Sequence, residues 1–147
     1  MHRFLPLAAL VLAAPAFAAP TASDASVRLP AVSGRPAAGY VMVMADKADT
    51  LVGVSSPQAG RIEMHTTIAE NGVMRMRQEK ALAVPAGGML HMSPGGAHLM
   101  LFDLAPGLKA GGTIPLTLSF QSGAKVKVDA KLAAAGAMME TSGHQHQ

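Results

Sequence analysis

Four side chains stand at His65-x10-Met76-x21-His98-x-Met100, in a chain that contains no cysteine. Two imidazoles and two thioethers are the donors that this set offers. Soft thioether ligands select Cu(I), and imidazole also suits copper. The spacing therefore suggests a copper(I) site. A blue-copper electron carrier needs a Cys thiolate beside two His, which this chain lacks. No nucleophile–base pair stands out, and the nine acidic residues are dispersed, so the chain does not read as an enzyme.

The spacing acquires meaning on strands. Asn71-Gly72 between two alternating runs is a strong short hairpin signal. A two-residue loop there sets Glu70 opposite Val73, Thr67 opposite Met76 and His65 opposite Gln78. Alternation then puts His65, Thr67, Met74 and Met76 on one sheet face. His65 and Met76 become diagonal neighbours, with strand positions about 7–8 Å apart. His98 and Met100, at i and i+2, share a face of a third strand, while Leu99 and Leu101 point the other way into a core. Arg75 and Arg77 alternate out of phase with Met76 and face away from it.

The elements that position these residues are short. Runs at 40–44, 50–54, 61–68, 73–78, 81–84, 89–92, 97–104, 114–120 and 125–132 read as strands, broken by turns such as Pro85-Ala86-Gly87-Gly88 and Ser93-Pro94-Gly95-Gly96. No helical period is sustained, so the pattern is all-β, a sandwich or small barrel. The size of 147 residues fits one domain.

The ends read differently. Residues 1–18 carry a short basic start, the apolar run from Phe4 to Ala14 and the A-x-A site Ala16-Phe17-Ala18, the marks of a cleaved secretory signal peptide. No later stretch has the length of a membrane helix, about 20 residues. Residues 19–26 read as a disordered lead-in, 27–132 as the folded domain, and 133–147 as a flexible tail. Cleavage removes Arg3 from a formal charge of +3, and aromatics make up 3% of the chain, so nucleic acid is not indicated. An oxidising compartment also suits the donor set, because thioethers, unlike thiolates, cannot form disulfides.

Of eleven methionines, ten remain after cleavage. Some should simply fill core gaps, an expectation placed on Met42 and Met64. A secondary metal site is a candidate at His144 and His146 with Met138 and Met139 upstream, since His-bearing tails can take Cu(II). His91, sharing a strand face with Met89, is a further candidate.

The runs Met64-His65 through Glu70-Asn71-Gly72-Val73-Met74-Arg75-Met76-Arg77, Pro85-Ala86-Gly87-Gly88, and Pro94-Gly95-Gly96-Ala97-His98-Leu99-Met100-Leu101 resemble the periplasmic copper chaperones of the PCu(A)C type. Their signature, H(M)-x10-M-x21-H-x-M, is met at every spacing, and the resemblance covers roughly Val27 to Leu132. It implies a single-domain, cupredoxin-like Greek-key β-sandwich with His65, Met76, His98 and Met100 as Cu(I) ligands. It also implies a periplasmic, monomeric carrier that hands copper to an accepting protein, such as a cytochrome oxidase subunit or another copper chaperone. The copper A centre of cytochrome c oxidase is the implied destination. Copper buffering or tolerance is the alternative within the class, and a metal-free structural β-sandwich the alternative outside it. The stretch Ala45-Asp46-Lys47-Ala48-Asp49-Thr50-Leu51 departs from the family's Asn- and Gly-containing turn, away from the four ligands.

Overall fold

The structure, a computed structural model, describes residues 18–137. The described residues form ten strands and no helix: β1 (Thr21–Arg28), β2 (Ala37–Ala45), β3 (Asp49–Ser55), β4 (Ala59–Glu70), β5 (Val73–Glu79), β6 (Leu82–Val84), β7 (Gly88–His91), β8 (Ala97–Leu104), β9 (Thr113–Phe120) and β10 (Lys125–Ala133). Hydrogen bonding runs in the order β5-β4-β8-β2-β1-β10-β9-β3-β6, with β7 pairing β2. Among the described residues, no helix is long and apolar enough to cross a membrane.

Period-two alternation builds the core. Val41, Val43, Met64, Leu99 and Leu101 point inward from β2, β4 and β8. Leu51, Ile114, Leu116, Leu118, Phe120 and Leu132 answer them from β3, β9 and β10, and all are buried. Each such leucine, isoleucine or phenylalanine contributes about 1.5–3 kcal/mol of burial. Gly39 lies where β2 passes β8: a Cβ there would sit 2.9 Å from Leu101 Cδ1 and 3.2 Å from Leu99 Cβ. Asp49, in the stretch that departs from the family pattern, ties the start of β3 to the β9–β10 turn. The Ser122 hydroxyl donates to its carboxylate, as do the backbone N–H groups of Thr50 and Ser122. The Ser122 hydroxyl above all holds the Asp49 carboxyl below its usual range.

The lead-in expected at 19–26 is corrected. Residues from Thr21 form β1, antiparallel to β2 and parallel to β10 through Ser26, Val27 and Arg28. Ala25 and Val27 are buried in the core, so β1 joins the two halves of the sheet. A register shift between Ser23 and Ser26, with Asp24 at φ +49°, interrupts the alternation that the sequence would otherwise display. Met64 fills the core as expected, but Met42 does not: its β2 neighbours Val41 and Val43 point inward and it faces out. The signal peptide expected at 1–18, apart from Ala18, and the expected tail beyond Ala137 lie outside the described residues.

Candidate metal centre

The β4–β5 hairpin turns through Asn71 and Gly72 at φ +50° and +77°, the pair of positive values that a tight two-residue hairpin requires. That turn fixes the register read from the sequence: Glu70 opposite Val73, Thr67 opposite Met76 and His65 opposite Gln78. On its other edge β4 pairs β8, which sets His65 directly opposite His98 and Glu63 opposite Met100. Met64 and Leu99, also opposite each other, are buried in the core. By alternation His65, Met76, His98 and Met100 therefore share the outer face of the sheet.

The two imidazoles meet there. Their ring centroids lie 5.8 Å apart with 27° between the planes. His98 is 6% exposed, although it stands on the outer face. A carboxylate and a carbonyl can only accept. His65 Nε2–H thus donates to Glu63 Oε2 at 2.9 Å, and His98 Nδ1–H donates to the Gly96 carbonyl at 3.0 Å. In a neutral ring this leaves a lone pair on His65 Nδ1 and on His98 Nε2. His65 Nδ1 is buried and has no hydrogen-bond partner. Leaving a buried polar atom unpaired costs about 1–3 kcal/mol, a cost that a bound metal ion would remove. Each ring thus has one nitrogen anchored and one free, as in metal-ligating histidines held by outer partners.

Glu63 was not singled out from the sequence. Its other carboxylate oxygen accepts from Arg61 Nε at 2.8 Å, and the Arg61 guanidinium stacks 4.2 Å from the centroid of Phe102. The hydrogen bond from His65 is the largest influence holding the Glu63 carboxyl below its usual range, and Arg61 acts in the same direction. Burial opposes both. The local signal was Glu63-x-His65, two residues that share a strand face; its meaning depended on which nitrogen of His65 had to stay free.

The thioethers flank this pair. Met76 is 60% exposed on edge strand β5, and Met100 is half-buried on β8. From His65 they occupy opposite diagonals, Met76 toward the hairpin loop and Met100 toward the other end of β4. Among the described residues no three His, Cys, Asp or Glu side chains group as a metal site. A metal held by His65 and His98 must draw further donors from elsewhere, and the two methionines are the soft donors beside them. His91 lies apart, on β7 opposite Met42. Met138, Met139, His144 and His146 fall outside the described residues. Arg75 and Arg77 pair with Ile68 and Thr66, out of phase with Met76, as expected.

The fold and its sequence have known relatives. The LpqE-like family model matches residues 21–132. Lxx21020 of Leifsonia xyli subsp. xyli, named as a lipoprotein, is 40% identical over 74 residues, 50% of this chain and 45% of that protein. The uncharacterized protein RP573 of Rickettsia prowazekii is 33% identical over 89 residues, 60% of this chain and 49% of that one. The chain thus spans about half the length of the curated relatives it matches. Among solved structures, the Cu(I) form of DR1885 from Deinococcus radiodurans is similar at 30% identity and a TM-score of 0.62, with 84% of this chain and 81% of that chain covered. The copper-bound PCuAC domain from PmoF2 gives 26% identity and a TM-score of 0.66, covering 81% and 96%. Both the start of the family match at residue 21 and its end at residue 132 fall within the strands β1 and β10 described above, and the chain belongs to the LpqE-like family of PCu(A)C-type, cupredoxin-like β domains.

Proposed function

We propose that this protein is an extracytoplasmic copper chaperone that carries one Cu(I) on His65, Met76, His98 and Met100. The observation that carries the reading is the imidazole pair, with one nitrogen of each ring anchored and His65 Nδ1 buried without a partner. Two imidazoles and two thioethers, with no carboxylate or thiolate, favour Cu(I) over Cu(II). The copper-bound relatives support the choice of metal. Copper here is cargo, and no catalytic role is assigned.

The chain's own residues divide the work. Glu63 and the Gly96 carbonyl hold the rings in the tautomers that leave His65 Nδ1 and His98 Nε2 unprotonated. Met76 and Met100 would supply the two thioethers from opposite diagonals of His65. Met76, exposed on an edge strand, is the donor that an incoming ligand would displace first. Transfer by stepwise ligand exchange keeps the ion protein-bound throughout. A periplasmic location follows from the signal-peptide pattern at 1–18, and delivery toward the copper A centre of cytochrome c oxidase from the family resemblance. The tail would add a Cu(II) site at His144 and His146, imidazoles being less selective for Cu(I) than thioethers.

One titration series tests these assignments. Protons compete with a metal for imidazole nitrogen. Cu(I) affinity, measured by competition with a chelator, should fall as the pH is lowered from 8 to 5. A flat affinity down to pH 5 would mean that methionines alone hold the ion. Cutting the chain after Ala137 keeps Ala133, whose carbonyl accepts from Leu29 N–H at 2.9 Å. This cut should leave Cu(I) binding intact and reduce Cu(II) binding. Unchanged Cu(II) stoichiometry would remove the tail site from the proposal.

A further inference from the structure

The β2–β7 ribbon carries a second soft donor set that the four-residue signature does not include. In this pairing Met42 lies directly opposite His91, and Met44 directly opposite Met89. Val41, Val43 and Ala45 occupy the inward positions of β2 and are buried, and Leu90 packs against the core from β7. Alternation therefore turns Met42, Met44, Met89 and His91 to the same outer face. Met44 is 46% exposed and Met89 48%, so two long apolar side chains stand side by side in water. On the other edge of β2, Thr21 and Ser23 of β1 sit opposite Met44 and Met42. Both are small and uncharged.

Directly opposite strand positions place Cβ atoms about 4.5–5.5 Å apart. Two such pairs, one step of two residues apart, form a quadrilateral of three thioethers and one imidazole. No carboxylate belongs to it, so it offers little to Ca²⁺ or Mg²⁺, which take oxygen ligands. We propose that Met42, Met44, Met89 and His91 form a second Cu(I) site, solvent-facing and weaker than the His65–His98 centre. Its likeness in donors to that centre is matched by its position. Ala38 of β2 pairs with Met100, and Met42 lies four residues further along the same strand and face, about 13 Å away. Resting on the proposed function of that centre, the ribbon is a place where copper arrives or waits before it reaches the buried imidazoles.

The test uses the full chain, Cu(I) alone under anaerobic reducing conditions, and a competing Cu(I) chelator. The parent should bind a second equivalent more weakly than the first. Met44→Leu with Met89→Leu, exposed replacements that nearly conserve volume, should weaken the second equivalent at least tenfold and leave the first unchanged. Spectra of ¹³C-methyl methionine should show the Met42, Met44 and Met89 methyls shifting only with the second equivalent. A parent that binds one equivalent, a second equivalent indifferent to the double substitution, or unshifted methyls would each overturn the proposal. Met76→Leu with His98→Ala serves as the converse variant. It should lose the tight equivalent and keep the ribbon site, so a failure of the main centre is visible separately.

Discussion

Replacing both imidazoles, His65→Ala with His98→Ala, should weaken Cu(I) binding at least a hundredfold, about 2.8 kcal/mol, while the far-UV spectrum stays that of the parent. The fold should survive because both rings lie on the outer face, away from the core residues Met64, Leu99 and Leu101. Removing His65 also removes the buried, unpartnered Nδ1, so part of any packing loss is offset. Met76→Leu should cost at least tenfold, about 1.4 kcal/mol, with stability unchanged because Met76 packs against little. Chelator competition reads both variants. A double-histidine variant that competes as well as the parent would show that the imidazoles are not ligands.

Leu99→Ala should have the largest effect on stability. Leu99 is fully buried between His98 and Met100 on β8, opposite Met64 on β4 and Gly39 on β2. Large-to-small changes at such positions cost about 2–5 kcal/mol. For a domain of this size that lowers Tm by on the order of 10 °C. Urea unfolding measures the loss directly. Cu(I) binding by the fraction that stays folded should change much less than in the double-histidine variant, because Leu99 points away from the ion. A loss under about 1 kcal/mol would contradict the alternation on which the outer-face assignment rests.

That alternation was legible in the sequence wherever contacts were local. Asn71-Gly72 fixed the β4–β5 register residue for residue, and His98-x-Met100 gave the parity of β8. The direct pairing of His65 with His98 was not legible, because it depends on where β8 docks along β4, some thirty residues later in the chain. Glu63 stayed hidden because its role follows from which nitrogen of His65 its carboxylate anchors, and tertiary geometry decides that. β1 escaped notice because Thr21-Ala22-Ser23-Asp24 carries small and polar residues, and a bulge interrupts its period. Its strand conformation comes from β2 and β10 on either side. Met42 looked like core filler because methionine suits both faces, and only the burial of Val41 and Val43 decides which way it turns.

A single Cu(I) held by two nitrogens and two sulfurs would have a distinct spectroscopic signature. X-ray absorption at the copper edge, on the full chain loaded with one equivalent of Cu(I), tests it most directly. The expected result is an edge typical of Cu(I) and a first shell of two imidazole nitrogens with two sulfurs at thioether distance, losing one sulfur in Met76→Leu. A first shell without sulfur, or one unchanged by Met76→Leu and His98→Ala alike, would contradict it.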